Sequence, residues 1–179
     1  NVFENYQMPL EFIKSRVIEI AAINPKISFY FNGEKIKVNP KFEKNFFDYC
    51  IKLDLEDEEL TSNFYIVPNW SDDGEFFHSI VNNIPVLNGG NHIDGFRKTF
   101  YKNLIQALSS ESKKRKLYPN NSDIQQSLLI YNTTSMLAPD FDSQSKTRLI
   151  NESINKKIQS HFSNQELYKK LIKNNKDWI

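Results

Sequence analysis

The chain has 179 residues, enough for one domain with a sizeable core, and its formal net charge is only +1. That balance excludes a bulk electrostatic draw to nucleic acid or membrane, so any such surface must be a local patch. The single Cys50 excludes an internal disulfide, the scattered His78, His92 and His161 speak against a Cys/His metal site, and no apolar run approaches the ~20 residues of a membrane span; a soluble protein of a reducing compartment is expected.

Residues 8–24 place Leu10, Ile13, Val17, Ile20 and Ala21 on one face, the spacing of an amphipathic helix, with Pro9 suited to its first turn. Strand-like runs at 27–31 and 34–38 flank Asn32-Gly33, a two-residue hairpin signal. Residues 41–52 read as a short helix offering Phe42, Phe46, Phe47, Tyr49 and Cys50 for burial, with Cys50 a small buried residue rather than a catalytic thiol. The acidic run 54–60 lacks the ligand spacing and central glycine of a calcium loop and reads as a solvated connection. Runs 63–67 and 75–83 are rich in β-branched and aromatic residues and are separated by turn formers, which predicts a second hairpin, with His78 packed in a strand.

From Ile93 the apolar positions Phe96, Phe100, Leu104 and Leu108 have helical spacing, so Gly89-Gly90-Asn91 forms the turn into a helix. A glycine pair at a helix start can cradle an anion or simply let the chain turn sharply, and the pattern is neither a dinucleotide fingerprint nor a Walker loop. Segment 109–122 reads as a loop carrying the contiguous cations Lys113, Lys114, Arg115 and Lys116, able to contact phosphates without reading bases. Residues 126–137 read as the last strand, running into the polar loop Pro139 to Leu149, and 147–162 and 163–175 as two closing helices with Ser163 an N-cap. If the loop is extended, the Gln144 amide and the Lys146 ammonium two residues on project the same way and can converge on one anion, with a plain solvated connection as the alternative.

Three stretches together resemble the transducer domain of type IIA DNA topoisomerases, the family of gyrase, topoisomerase IV, eukaryotic topoisomerase II and their tailed-phage relatives. They are "EIAAINPKISFYFNG" (19–33), "NNIPVLNGGNHIDGFRKTF" (82–100) with the turn motif Gly89, Gly90 and His92, and "FDSQSKTRL" (141–149). The Asn-Asn-Ile/Gly-Gly-x-His stretch sets the chain apart from mismatch-repair relatives. Ser145 stands where the family usually has Thr, and Asp123 to Leu128 departs from the pattern of bacterial members, which leans toward a phage or viral origin.

The resemblance implies an α+β fold, a mostly antiparallel sheet with helices on one face and a left-handed βαβ crossover, leading into a C-terminal helix. Residues 1–162 would be the transducer domain, opened by the helix in 1–24, and 163–179 a helix continuing toward the rest of the subunit. Gln144 and Lys146 would contact the ATP γ-phosphate, with ATP and Mg²⁺ held mainly by a preceding nucleotide-binding domain. The run Lys113 to Lys116 would face double-stranded DNA. Other implied partners are a second copy of the ATPase region and the DNA-cleaving domain or subunit. Localisation would be cytoplasmic, or nuclear in a eukaryotic setting. Because the chain starts at Asn1 and ends on a charged, helical-looking segment, it is expected to be a piece of a longer polypeptide, with no catalytic base or metal ligand of its own and no ATP hydrolysis alone. The alternative is a stand-alone, non-enzymatic nucleic-acid-binding α+β module using residues 113–116.

Overall fold

The computed structural model describes residues 9–68 and 75–175. The chain divides into two compact units, Asn1–Asp48 and Tyr49–Ile179. In the first, α1 (Leu10–Ile23) buries Ala21 and Ala22. It is followed by the hairpin of β1 (Tyr30–Phe31) and β2 (Glu34–Lys35), paired Tyr30↔Lys35 and Phe31↔Glu34. Asn32 and Gly33 both take left-handed φ values, 50° and 82°, the turn geometry that the strand twist favours. The helix expected at 41–52 shrinks to one 3-10 turn, Phe42–Asn45. Asn45 is the reason. Its Nδ2 donates to the carbonyls of Asn39 (3.0 Å), Lys41 (3.2 Å) and Phe42 (3.1 Å), and its Oδ1 accepts from the Asn39 amide at 2.7 Å, so a side chain takes the bonds a helix would need.

The second unit opens with β3 (Ile51–Glu56), where the sequence suggested the end of a helix and an acidic connection. Ile51, Leu53 and Leu55 point inward and Lys52, Asp54 and Glu56 outward, a period-two alternation that outweighs the acidic composition. Strand β4 (Leu60–Pro68) pairs with it antiparallel from Ile51↔Ile66 to Glu56↔Thr61. The rest of the acidic run is the hairpin turn, and Lys157 holds it through Asp57 (2.5 Å) and Glu59 (2.9 Å).

The remaining strands are β5 (Phe76–Val81), β6 (Ile84–Pro85) and β7 (Leu128–Met136), in the spatial order β3-β4-β7-β5-β6. Strand β7 is therefore central, antiparallel to β4 and parallel to β5. The hairpin expected between 63–67 and 75–83 does not form. Of the residues expected to make its turn, 68–74, Pro68 ends β4 and 69–74 lie outside the described ones, and β5 instead turns back on β6 across Asn82 and Asn83, whose φ values of 47° and 64° again suit a tight hairpin.

Helices α2 (Asn91–Arg115), α4 (Glu152–Phe162) and α5 (Gln165–Asn174) cover the sheet face lined by Leu53, Phe64, Ile66 and Ile130. Phe64 stacks on Phe96 of α2, with centroids 4.0 Å apart and planes 8° apart, and meets the edge of Phe162 of α4 at 5.4 Å. Burying such rings supplies most of the drive that holds helices to sheet. Tyr168 and Leu171 of α5 belong to the same core, and the Tyr168 hydroxyl donates to the Phe162 carbonyl at 2.6 Å. The architecture is α+β, a mostly antiparallel sheet with helices on one face, as expected.

Some helix bounds differ from the sequence reading. Helix α2 runs through Arg115 because no Gly or Pro interrupts 96–115. A further short helix, α3 (Asn121–Gln126), stands before β7, set by a reciprocal capping box between Asn120 and Asp123. Helix α4 starts at Glu152 rather than at 147, and the N-cap of α5 is Asn164, which accepts from the Glu166 amide at 3.0 Å, rather than Ser163.

Candidate functional site

The two motifs singled out in the sequence meet through their backbones. The Asn88 amide donates to the Thr147 carbonyl (2.8 Å), the Leu149 amide to the Gly89 carbonyl (3.0 Å) and the Asn91 amide to the Leu149 carbonyl (2.9 Å), which makes Gly90 and Leu149 a parallel bridge. Gly90 has φ 130° and ψ −164°, a region essentially confined to glycine. The side chains of Asn91 and Asn151 extend the attachment: Asn91 Nδ2 donates to the Ile150 carbonyl at 2.8 Å, and Asn151 Nδ2 to the Ala138 carbonyl at 3.0 Å. Beneath lies a small apolar cluster of Val81, Val86 and Leu149, with Met136 and Phe141 packed against it.

From this base the loop projects as a closed tip. Asp142 and Arg148 face each other at its neck, the Asp142 amide donating to the Arg148 carbonyl at 3.1 Å. Within it the Lys146 amide donates to the Ser143 carbonyl (3.0 Å), and Lys146 has φ 56°. The tip is thus a turn, and the extended backbone on which convergence of Gln144 and Lys146 was argued is absent. Its side-chain bonds turn inward, Ser143 Oγ to Ser145 Oγ at 2.8 Å, because Asp and Ser compete well for local partners. Gln144, Ser145 and Lys146 are exposed, and the Lys146 ammonium sits 5.8 Å from the Phe141 ring centroid. The site residues are therefore a solvent-facing amide and ammonium on a tip anchored at both ends.

His92 points the other way, into the core. Its Nε2 lies 2.7 Å from Ser79 Oγ, which donates to Asn132 Oδ1 at 3.1 Å. Asn132 Nδ2 donates to the Asn63 carbonyl (3.1 Å) and to Ser62 Oγ (3.0 Å), which fixes the orientation of the amide. Thr134 Oγ1 donates to Asn132 Oδ1 (3.0 Å), so the Ser62 hydroxyl, 2.8 Å from Thr134, must donate to it. The Ser79 proton being spent on Asn132, His92 carries its hydrogen on Nε2, and Nδ1 is a buried lone pair with no hydrogen-bond partner. Burial, helped by the Arg148 guanidinium, holds the imidazole pKa down to about 3, so His92 is neutral. The third residue of the turn motif is thus a peg linking the start of α2 to β5, β7 and β4.

The cations Lys113, Lys114 and Arg115 occupy the last turn of α2, and Lys116, with φ 55°, is its C-cap, rather than all four lying in a loop. Positive charge at a helix C-terminus is favourable in itself. Glu111 takes Lys114 in an i,i+3 pair at 2.7 Å. All four cations are exposed, beside exposed Leu117 and Tyr118. They lie at the far end of α2 from Gly90, so the 142–148 tip and the basic cluster form two separate places. Among the described residues no group of three His, Cys, Asp or Glu is placed to hold a metal, and no helix is long and apolar enough to cross a membrane. Cys50 is half-buried just before β3.

Sequence reasoning missed Asp94 and Arg148, which pair at 2.6 Å across the two motifs, and the polar chain through Ser79 and Asn132. A signal existed for the second: Asn132 interrupts an apolar strand, and a buried amide demands partners. None existed for the first, because a 54-residue separation hides a contact.

Residues 13–178 match the family model described as DNA gyrase B. The B subunit of the type 2 topoisomerase of Aquifex aeolicus is 25% identical over 180 residues, covering 89% of this chain and 22% of that protein. The B subunit of DNA gyrase from Helicobacter pylori strain 26695 is 30% identical over 122 residues, covering 68% of this chain and 16% of that protein. The chain thus spans about a fifth of the length of these curated relatives. Among solved structures, the 43K ATPase domain of Thermus thermophilus gyrase B, in complex with an aminocoumarin, superposes with a TM-score of 0.70 at 14% identity, over 97% of this chain and 51% of that one. At that identity the likeness is one of fold.

Proposed function

The chain belongs to the DNA gyrase B family, and on that premise we propose that it is the transducer portion of an ATP-dependent type II DNA topoisomerase. The observation that carries this reading is the anchored tip: a backbone bridge between Gly90 and Leu149 fixes the neck of a loop whose exposed end offers the Gln144 amide and the Lys146 ammonium. A hydrogen-bond donor and a positive charge on a held projection fit a terminal phosphate presented by a neighbouring domain. Resident Mg²⁺ and the nucleotide would be held mainly by that domain.

In this reading Lys146 offsets the negative charge that spreads over the γ-phosphoryl oxygens during transfer, and Gln144 orients the same group. Hydrolysis removes the contact. The two domains then lose a differential interaction and are free to change their relative position, which links nucleotide state to gate closure and DNA strand passage. The exposed cations 113–116 would meet double-stranded DNA through phosphates. A second copy of the ATPase region and the cleavage domain or subunit complete the set of partners. Residues 1–162 would form the transducer domain and 163–179 the continuation toward the rest of the subunit. The fragment alone would not turn over ATP. Membership of the family favours this over the stand-alone nucleic-acid-binding module.

The test is Lys146→Ala in the intact subunit. Loss of a charged phosphate contact should raise the barrier to ATP hydrolysis by roughly 2–4 kcal/mol. Wild-type turnover would remove the basis for the assignment.

A further inference from the structure

We infer that Arg148 and Asp94 are a positioning pair that holds the tip in register with helix α2, an inference that rests on the tip being the nucleotide contact. Arg148 has two jobs at once. Through its backbone it forms the neck of the tip, its carbonyl accepting from the Asp142 amide at 3.1 Å and its own amide donating to Asp142 Oδ1 at 3.3 Å. Through its side chain it reaches across the glycine turn, Nη1 donating to the Asn88 carbonyl at 3.1 Å and Nη2 to Asp94 Oδ2 at 2.6 Å.

The guanidinium therefore spans both sides of the Gly89-Gly90 turn, one donor on the residue before it and one on the first turn of α2. Geometry makes the partnership selective. Only a planar fork offers two donors in fixed relation, so a lysine could serve one acceptor but not hold the angle between them. Asp94 in turn sits in the first turn of α2, where a carboxylate is favoured by the helix dipole and is held by the helix backbone. Both side chains are 41% exposed, so water screens the pair and its contribution to folding stability is small. What the pair fixes is orientation. Backbone bonds at Thr147 and Leu149 hold the stretch on either side of Arg148, and the guanidinium between them ties that stretch to Asp94 on α2. Lys146 lies two residues beyond Arg148, next to Thr147, whose carbonyl accepts from the Asn88 amide at 2.8 Å, so a shift of this stretch against α2 reaches the ammonium over a short, held length of chain.

The experiment compares Asp94→Asn, Asp94→Glu, Arg148→Gln, Arg148→Lys and Lys146→Ala in the full-length subunit, with ATP turnover, ADP affinity and thermal unfolding measured on each. A positioning role predicts that Asp94→Asn and Arg148→Gln lower kcat by on the order of tenfold to a hundredfold, the scale of misplacing a group by about an ångström. ADP, which lacks the contacted phosphate, should bind as to wild type, and the unfolding midpoint should not move. Asp94→Glu should recover most of the rate and Arg148→Lys only part of it. Amide hydrogen exchange over residues 143–147 should quicken in Asp94→Asn, a readout that does not require activity. Wild-type turnover and exchange in Asp94→Asn and Arg148→Gln, with Lys146→Ala impaired, would overturn the positioning pair alone. Wild-type turnover in Lys146→Ala would overturn the nucleotide reading of the tip and this inference with it. A rate loss in Asp94→Asn accompanied by a lowered unfolding midpoint and weaker ADP binding would show a merely structural role and count against the proposal.

Discussion

A Cβ built on Gly90 would lie 2.1 Å from the Leu149 carbonyl oxygen and 2.6 Å from its amide nitrogen. Both atoms are backbone and engaged in the bridge, so no side-chain rotation can relieve the clash. Gly90→Ala should therefore cost about 2 kcal/mol or more, combining a φ that L-residues avoid with overpacking against main chain. Urea unfolding of wild type and variant measures it. A loss below about 0.5 kcal/mol would mean that the Leu149 strand of the loop yields freely.

Burial of His92 couples folding to pH. Its folded pKa, about 3, lies below the ordinary value of 6.5, so between those limits the unfolded chain binds the extra proton. Stability from this group is complete above pH 6.5 and falls as pH drops toward 3, with a slope of at most about 1.4 kcal/mol per pH unit. Asp57, held low by hydrogen bonding to Lys157, and Glu166, held low by its bond to Lys169, act in the same direction only below the carboxylate range. The window from pH 4.5 to 6.5 lies above the range in which these two carboxylates act. His92→Gln, which keeps a donor for Ser79, should flatten the unfolding free energy across that window, and a variant whose slope matches wild type would show that His92 protonates without penalty.

The aromatic contact between sheet and helices should dominate the core energetics. Phe64 is fully buried between Phe96 and Phe162. Phe64→Ala should destabilise the second unit by about 3–5 kcal/mol. Phe64→Leu, which leaves a smaller void, should cost less; equal losses in the two variants would argue against a packing origin.

Replacing Lys113, Lys114, Arg115 and Lys116 by Gln should weaken DNA binding by the intact subunit and reduce the slope of log affinity against log salt. Four lost phosphate contacts would lower that slope by about 3–4 units, and the pairing of Lys114 with Glu111 makes the expected change smaller. An unaltered slope in a salt titration would return the cluster to ordinary solvated charge at a helix end.

The parts of the molecule that could be read from sequence were those decided locally. Asn32-Gly33 names its own turn, and the apolar spacing from Ile93 to Leu108 names its helix. The edges of the sheet were harder. Residues 51 and 52 were read as the end of a helix and Asp54 to Leu60 as a solvated acidic connection, although the alternation of Ile51, Leu53 and Leu55 with Lys52, Asp54 and Glu56 already spelled a half-buried strand. Strand pairing failed for a different reason. Nothing between Val67 and Glu75 reveals that β7, far along the chain, will lie between β4 and β5. At the tip, Gln144 and Lys146 were chosen by chemistry and family resemblance, but their spacing was read as an extended backbone, whereas local hydrogen bonds at Ser143 and the left-handed Lys146 make a turn.

The central position of β7 also sets an order of assembly. The β3–β4 and β5–β6 hairpins each close from neighbouring residues, at small loop-closure cost. Neither can join the other until β7, the last strand to leave a ribosome, slides between them. Pulse-labelled hydrogen exchange during refolding should find hairpin amides protected before those shared with β7, and simultaneous protection would contradict this sequence of events. Because the chain passes from β7 straight into the loop, Leu149 can reach Gly90 only after that insertion. The tip carrying Gln144 and Lys146 is thus a late product of folding, presented only by chains whose sheet is already complete.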